Sequence, residues 1–448
     1  MPSINIAVTG CGHGELDNYY RMCEVFKQKG KPIDLLVITG DFQAVRNQED
    51  LGCMKSPDKY LRMMDFFKYY NGEVRAPILT IYVGGNHEAV NYQNELHYGG
   101  WVAPNIYFMG SSNVIRYKGL TIGGLSGIYK EMDFDRGYTE RVPFDRSRMD
   151  SGYVTSFHYR RLEIFKLLSY PSKVDVMVTH DWPSRIYQYG DTAQLLRRKP
   201  HFQDEVNDMC LGSSPLMSVL DELKVSFSLS HDKQPAYWFS AHLHVKFAAI
   251  YPHFHSKSPV HPQSAETDPE NETAYSHGHP PAAADGTTRF LALDKCVRGR
   301  DYMQVVSLEV DSSCLEDNKL YYDADWLSVV RETQQLETRD RKPLPLPDHL
   351  TISEETKQVV EKLVKERGDG VRGIPIPENF QQIAPLYFGF STDGYDGTVA
   401  VERGNNQTDA YLEMLGLEHR ITVPLEESGK EESKEDPNAL DIDCDLAV

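Results

Sequence analysis

Short apolar runs of strand length alternate with amphipathic stretches along the first 250 residues. The five most continuous runs are residues 4–10, 34–41, 77–86, 174–181 and 237–244. Runs with few polar breaks are typical of strands buried on both faces, so we expect sheets that are covered by helices. NIYFMG, VIRYKGLTIGG, RFLALDK and MQVVSLEV predict further strands, enough for two sheets.

Helical spacing separates the strand-like runs. In residues 15–30, Leu16, Tyr19, Cys23 and Phe26 recur at intervals of three or four positions. Similar patterns predict helices at 60–70 and 159–168 and, nearer the C terminus, in DADWLSVVRET and SEETKQVVEKLVKE. This alternation of strands and helices predicts the α/β class, with two sheets packed as a sandwich between helices.

Composition divides the chain into segments. We expect a main domain over residues 1–310, a smaller C-terminal domain over 311–424 and an acidic, disordered tail over 425–448. Residues 252–287 have little apolar content, which predicts a disordered insertion between two strands. The five histidines of this insertion could bind metal, but a solvated low-complexity loop is the favoured interpretation.

The formal net charge of −19 argues superficially against a nucleic-acid partner. Residues 426–448 carry a net charge of −7 and residues 251–287 carry −4, so much of the excess lies in segments expected to be unstructured. Exposed charges are screened beyond about 10 Å at 0.1 M salt. The charge therefore excludes a generally basic nucleic-acid binder but does not exclude an enzyme that acts on nucleic acid.

Seven scattered cysteines form no C-x-x-C pair, which is typical of a reducing compartment. The first ten residues lack the basic and apolar regions of a secretory signal. No run of 18 apolar residues occurs, so we expect no membrane partner.

Side chains suited to metal binding follow each of the five buried runs. They are Cys11 and His13, Asp41, Asn86 with His87, His180, and finally His242 with His244. In α/β sheets, ligands gather outside the carboxyl ends of the strands, so we expect these side chains to meet. Two divalent ions about 3.5–4 Å apart need a bridging anion, for which Asp41 is the natural residue, and such a pair can hydrolyse a phosphoester. A single histidine at a strand end is often structural, and Cys11 has the alternative of being a small buried residue without a metal bond.

The order of these motifs, (D/C)-x-H, GD, GNH, H and GHxH, resembles that of calcineurin-like metallophosphoesterases. Within that group the chain resembles the RNA lariat debranching family in GCGHGELD, GDFQAVRN, GGNHEA, YGGWVAPNIY, THDWP, YWFSAHLHVKFAA and FLALDKC. The resemblance covers about the first 250 residues and residues 288–310. It implies a metallophosphoesterase sandwich of αββα type that hydrolyses the 2′–5′ phosphodiester at the branch point of excised intron lariats.

The resemblance also implies roles for the site residues. One ion would be held by Cys11, His13, Asp41 and His244, and the other by Asp41, Asn86, His180 and His242. His87 would be the general acid that protonates the departing 2′-oxygen. Two divalent ions are implied, Fe²⁺ and/or Zn²⁺, with Mn²⁺ able to substitute, and the soft thiolate of Cys11 favours the first two over magnesium.

In residues 126–161 cations are interleaved with aromatic side chains, and the sequence predicts an irregular segment. Aromatic faces stack on unpaired bases, and cations contact phosphates. The segment resembles the lariat recognition loop of the debranching family, and the predicted substrate-binding residues are Tyr129, Lys130, Arg136, Tyr138 and Arg160. Acidic residues leave the segment near +1, so a partly buried surface loop is the alternative. Arg197, Arg198 and Lys199 could hold RNA, act as a localisation signal or form a solvated face.

Two other functional classes stay open at this point. One is a metallophosphoesterase for a phosphoprotein or a small phosphodiester, and the other is a non-catalytic scaffold with the same fold. If the substrate is lariat RNA, we expect a nuclear protein, with some in the cytoplasm, and splicing-associated proteins as partners of the C-terminal region. The oligomeric state is not predicted.

Overall fold

The computed structural model describes residues 2–140, 142–148, 152–222, 235–253, 286–389 and 394–425. Its strands are β1 (Ser3–Thr9), β2 (Leu35–Ile38), β3 (Thr80–Tyr82), β4 (Gly100–Ala103), β5 (Ile106–Phe108), β6 (Ser112–Tyr117), β7 (Leu120–Leu125), β8 (Val176–Thr179), β9 (Tyr237–Ser240), β10 (Phe247–Pro252), β11 (Thr287–Ala292), β12 (Met303–Glu309), β13 (Leu320–Tyr322) and β14 (Ile374–Pro375).

The α-helices are α1 (Leu16–Gln28), α2 (Gln48–Leu51), α3 (Phe66–Tyr70), α4 (Val90–Glu95), α5 (Glu131–Phe134), α6 (Arg161–Leu168), α7 (Thr192–Arg198), α8 (Gln203–Asn207), α9 (Ser214–Glu222), α10 (Ala324–Thr333), α11 (Glu354–Arg367) and α12 (Asn406–Leu415). Short 3₁₀ helices lie at Asp58–Tyr60, Ile186–Tyr189, Pro200–Phe202, Ser312–Cys314, Gln334–Leu336 and Gly370–Arg372. None of the helices in the described ranges is long and apolar enough to cross a membrane.

The strands form two sheets, in the orders β12-β1-β2-β3-β5-β4 and β10-β11-β9-β8-β7-β6-β13-β14. In the first sheet β1, β2, β3 and β5 are parallel, and in the second β7, β8, β9 and β11 are parallel. The carboxyl ends of β1, β2 and β3 therefore share one edge of the first sheet, and those of β8 and β9 share one edge of the second.

The two sheets pack face to face, because alternate side chains of each strand point to opposite sides. Val8 and Val37 of the first sheet lie in one apolar core with Val178 and Phe239 of the second. Ala7 instead faces a separate core formed with helices α1 and α3. Met177 likewise points away from the shared core, towards α6, α9 and α10. The predicted α/β sandwich of αββα type is confirmed.

The helix predicted over 60–70 is wrong in its first half. The α-helix begins only at Phe66, and Met64 has a left-handed backbone with φ of 49°. The side chain of Met64 packs against Gly14, where an added Cβ would lie 2.5 Å from the Met64 Cβ. A tertiary contact thus overrides the helical spacing.

Residues of the predicted C-terminal domain, 311–424, continue the sandwich. Strand β13 pairs with β6 and adds β14 to the second sheet. Helix α12 packs beside β4 of the first sheet, where the Gln407 amide donates to the Trp101 carbonyl at 2.8 Å and accepts from the Trp101 N–H at 2.7 Å. Apart from their end residues, the predicted insertion 252–287 and the tail 425–448 lie outside the described residues.

Candidate metal centre

The turns that follow β1, β2 and β9 carry an unusual backbone conformation at predicted metal ligands. His13, Asp41, His242 and His244 have φ values of 47°, 49°, 58° and 50°. Residues other than glycine rarely adopt this left-handed backbone conformation, which costs on the order of 1–3 kcal/mol per residue. The strain is concentrated where the two sheets present their carboxyl ends, as is typical of functional sites.

Four of the predicted ligands form one compact group. The ligand atoms of Cys11, His13, Asp41 and His244 all lie within 4.8 Å of one another. The Nε2 atoms of His13 and His244 are 3.2 Å apart, and His13 Nε2 is 3.7 Å from Asp41 Oδ2. Ligands about 2.0–2.1 Å from a tetrahedral ion are about 3.3 Å from one another, so this arrangement fits a single transition-metal ion.

A second set of ligands lies on the other side of Asp41. His180 Nε2 is 3.5 Å from Asp41 Oδ1 and 3.3 Å from Asn86 Oδ1. The ring of His242 has its centroid 4.9 Å from that of His180. Asp41 thus presents Oδ2 to His13 and Oδ1 to His180, the geometry that a bridging carboxylate needs.

Hydrogen bonding selects the tautomer of His180. Its Nδ1 lies 2.8 Å from the carbonyl oxygen of Thr39, which can only accept, so Nδ1 carries the proton and Nε2 offers a lone pair. Burial lowers the pKa of His180 to about 4, although the charge of Asp41 opposes this. Burial, and next the proximity of His13, lower the pKa of His244 to about 3. Both imidazoles are therefore neutral and able to bind metal at pH 7.

The two anionic ligands differ in how readily they ionise. Burial opposes ionisation of Asp41, but the neighbouring His180, His13 and His87 together lower its pKa below the usual value. Burial, and next the charge of Asp41, raise the pKa of the Cys11 thiol. Asp41 is thus a carboxylate without metal, whereas metal binding at Cys11 must release the thiol proton.

His87 lies beside the ligands without joining their compact group. Its backbone N–H donates to Asp41 Oδ1 at 2.9 Å, and its ring centroid is 5.7 Å from that of His13. The Nδ1–H donates to the Lys55 carbonyl oxygen at 2.7 Å. This hydrogen bond orients the ring and leaves Nε2 for another partner.

Glu88, which the predicted site omitted, contacts both ligand loops. It is fully buried, and the oxygens of its carboxyl group accept the backbone N–H groups of Phe42, Gln43 and Gly85 at 2.8, 2.7 and 2.9 Å. Burial, and next the charge of Asp41, raise the pKa of Glu88 to about 8. Glu88 thereby joins the loop that carries Asp41 to the loop that carries Asn86. The only sequence signal was its place in GGNHE.

The close approach of these two loops also explains why residue 85 is a glycine. A Cβ added at Gly85 would lie 2.2 Å from Asp41 Oδ1 and 2.8 Å from a ring carbon of His180. Only glycine leaves room for both ligands.

The predicted recognition loop attaches next to the second set of ligands. The backbone N–H of Tyr129 donates to the Asp181 carboxylate at 3.1 Å, one residue after His180. Lys130 is exposed, and Arg136 is partly exposed and pairs with Asp133 at 2.7 Å. The roles of Tyr129, Lys130 and Arg136 in binding RNA stay predictions.

Arg160, another predicted contact with RNA, is buried within the loop. Its side chain is only 2% exposed, pairs with Glu140 and donates to the carbonyl oxygens of Gly137 and His158. Arg160 therefore links parts of the loop from inside, and its contact with RNA stays a prediction. The ring of Tyr138 is half-buried and its hydroxyl donates to Glu163 at 2.5 Å, so only the ring is left as a predicted contact.

Comparison with known proteins identifies both parts of the chain. The family model of calcineurin-like phosphoesterases matches residues 4–246, and the model of the lariat debranching enzyme C-terminal domain matches residues 285–420. The lariat debranching enzyme of Mus musculus is 39% identical over 439 residues, which are 96% of this chain and 71% of that protein. Lariat debranching enzyme A of Xenopus laevis is 40% identical over 97% of this chain and 73% of its own length. The Arabidopsis thaliana lariat debranching enzyme is 38% identical over 93% of this chain and 87% of its own length.

The substitution Glu88→Gln tests the link between the loop that carries Asp41 and the loop that carries Asn86. The amide has one acceptor oxygen in place of two, so at least one buried N–H loses its partner, at a cost of about 1–3 kcal/mol. We expect metal affinity to fall about 10–100-fold, as for other partners of metal ligands, measured by competition with a chelator. The matched control is Glu24→Gln on the exposed face of α1, where the side chain is 55% exposed. Equal affinity in the two variants would show that Glu88 does not position the ligands.

Proposed function

Because this chain belongs to the lariat debranching enzyme family of calcineurin-like phosphoesterases, we infer that it hydrolyses the 2′–5′ phosphodiester at the branch point of excised intron lariats. The enzyme is a metal-dependent phosphodiesterase, and its substrate is branched RNA. The observation that supports this most directly is Asp41, whose two carboxylate oxygens face two separate sets of metal ligands. A two-metal mechanism is consistent with this fold.

The site residues divide between two divalent ions. Cys11, His13, Asp41 and His244 would hold one, and Asp41, Asn86, His180 and His242 would hold the other. When bound, such ions neutralise charge on the phosphate and lower the pKa of the attacking water. The donor set fits them, because the imidazoles of His180 and His244 are neutral at pH 7 and Asp41 is ionised.

The protein itself supplies orientation and a proton. The backbone N–H of His87 donates to Asp41 and orients it between the two sets of ligands. Glu88 connects the loop that carries Asp41 to the loop that carries Asn86. We propose that His87 is the general acid. Because its Nδ1–H donates to the Lys55 carbonyl, Nε2 is the nitrogen free to face the substrate, and in the imidazolium form it would pass its proton to the departing 2′-oxygen.

A comparison of substrates tests the inferred activity. We expect a synthetic RNA with one 2′–5′ branch to be cut at the branch by the metal-loaded protein, while linear 3′–5′ RNA and a phosphopeptide stay largely intact. Added chelator should abolish the reaction. Much faster cleavage of the phosphopeptide, or of a generic phosphomonoester, than of the branch would overturn the assignment.

The acid role predicts a specific effect of His87→Ala. Turnover of branched RNA should fall by the ~10²–10⁴-fold typical of general acid–base catalysis, and the metal content should stay at the wild-type level. Elemental analysis and single-turnover rates measure the two quantities. His201→Ala, which changes an exposed side chain of the 3₁₀ helix Pro200–Phe202, is the control. A wild-type rate in the His87 variant would refute the role.

We propose Fe²⁺ and/or Zn²⁺ as the native metals, with Mn²⁺ able to substitute. The argument is the softness of the Cys11 thiolate, which favours these ions over hard cations. Cys11→Asp replaces it with a hard ligand, so the ratio of Mn²⁺-supported to Zn²⁺-supported activity should rise after reconstitution of the apoprotein. An unchanged ratio would argue that Cys11 does not bind metal.

We also propose a nuclear location, on the ground that introns are excised in the nucleus. A fluorescent fusion confined to the cytoplasm would contradict it.

A further inference from the structure

Two basic segments that are far apart in the sequence meet beside the metal centre. One is RRK, residues 197–199, which ends helix α7, and the other is KCVRGR, residues 295–300, which follows strand β11. Arg198 and Asp301 link them at 3.9 Å. We define the basic rim as Arg197, Arg198, Lys199, Lys295, Arg298 and Arg300.

Backbone hydrogen bonds connect the second segment, residues 295–300, and its neighbours to the end of β1, where Cys11 lies. The Cys296 N–H donates to the Cys11 carbonyl oxygen at 3.2 Å, and the Gly10 N–H donates to the Tyr302 carbonyl oxygen at 3.0 Å. The approach is so close that a Cβ at Gly10 would lie 2.1 Å from the Asp294 carbonyl oxygen. The basic rim therefore has a defined place next to the Cys11 and His13 ligands.

Two of the six cations of the rim have an acidic partner. Arg300 pairs with Asp294 at 3.1 Å, and Arg198 pairs with Asp301. Among the residues that the structure describes, Arg197, Lys199, Lys295 and Arg298 form no ion pair within 4.0 Å. Six cations against the two acids Asp294 and Asp301 leave this segment of surface positive in a chain with a net charge of −19.

The two lysines of the rim lie on the Cys11 side of the metal ligands. Lys295 directly precedes Cys296, whose N–H is bonded to the Cys11 carbonyl oxygen. Lys199 follows the end of α7, which Arg198 joins to Asp301, and it is within electrostatic range of Lys295 and Cys11.

The predicted recognition loop differs from the rim in how many of its cations have an acidic partner. Four of its arginines are already paired: Arg136 with Asp133, Arg160 with Glu140, Arg161 with Asp135 and Arg146 with Asp58. A branch point joins three RNA arms at one nucleotide, and each arm carries a phosphate backbone. Cations without acidic partners are the better candidates for contacts with phosphate, because they release counterions without breaking an ion pair.

We propose that the basic rim, with Lys199 and Lys295 nearest the metal ligands, binds the phosphate backbone of an RNA arm that leaves the branch on the Cys11 side. The rim would be a second RNA contact, since the recognition loop attaches beside His180, among the other set of ligands. The proposal rests on the inferred debranching activity.

The test compares branched RNAs with long and with single-nucleotide arms. In the double variant Lys199→Gln/Lys295→Gln, KM for the long-armed RNA should rise about tenfold, with a smaller change in kcat. The slope of log(1/KM) against log[salt], measured between 50 and 200 mM salt, should become shallower by about 1–2 because one or two phosphate contacts are lost. The ratio of kcat/KM for long-armed to short-armed RNA should fall.

Two further variants separate a specific effect from a general one. Lys199→Arg/Lys295→Arg keeps the charge and should restore KM and the salt slope. Lys362→Gln/Lys365→Gln removes the same charge from helix α11, which contacts β14 at the opposite edge of the second sheet, and should act like wild type. Metal content and thermal unfolding of every variant report whether the centre and the fold are intact.

The outcomes distinguish the two inferences. If the Gln variant binds metal and has the wild-type KM and salt slope on long-armed RNA, the rim does not bind RNA and is a solvated face or a localisation signal. If the wild-type protein cuts neither branched RNA, the inferred activity itself fails, and the proposal for the rim falls with it.

Discussion

The buried carboxylate of Asp41 is the point on which the structure of the site depends. One oxygen lies 3.7 Å from a nitrogen of His13, and the other lies 3.5 Å from a nitrogen of His180. These two histidines belong to different sheets of the sandwich. The sheets must therefore pack with the carboxyl ends of their parallel strands side by side, and the bond from His180 to the Thr39 carbonyl spans that junction. A relative shift of even 1 Å would separate ligand groups that must bind ions about 3.5–4 Å apart.

A second group of buried polar residues keeps the ligand loops in place. Glu88 binds N–H groups of both loops, and Arg46, only 1% exposed, pairs with Asp50 of α2 and Glu95 of α4. The Arg46 guanidinium also lies 3.8 Å from the centre of the Tyr92 ring. Fully satisfied buried networks of this kind are rigid, since removing one partner leaves a buried charge unpaired. Rigidity is what a site with strained backbone at four ligands needs.

The distribution of charge reconciles an acidic chain with a polyanionic substrate. The attraction of RNA phosphates to the metal centre does not depend on the net charge of the chain, because distant exposed charges are screened. The side chains close to the ligands include neutral histidines and the cations of the rim. Three arginines of the predicted recognition loop bind acids of the same loop, so we expect any contact of this loop with RNA to rely on shape and aromatic surface more than on charge.

The sequence alone determined the α/β class, the order of the predicted ligands and their place at the carboxyl ends of strands. Each lies at the end of a buried apolar run, and parallel strands of one sheet end at the same edge, so local patterns were enough for each sheet. The packing of the two sheets decided that the two edges meet. The sequence did not reveal that Glu88 joins two loops, that Arg160 is buried, that Met64 packs against Gly14 in place of a helix, or that the end of α7 meets residues 295–301. Periodicity reports the environment of a residue along its own strand or helix. Contacts between residues tens to hundreds of positions apart exist only after the sheets and loops have packed, and only the tertiary structure decides them.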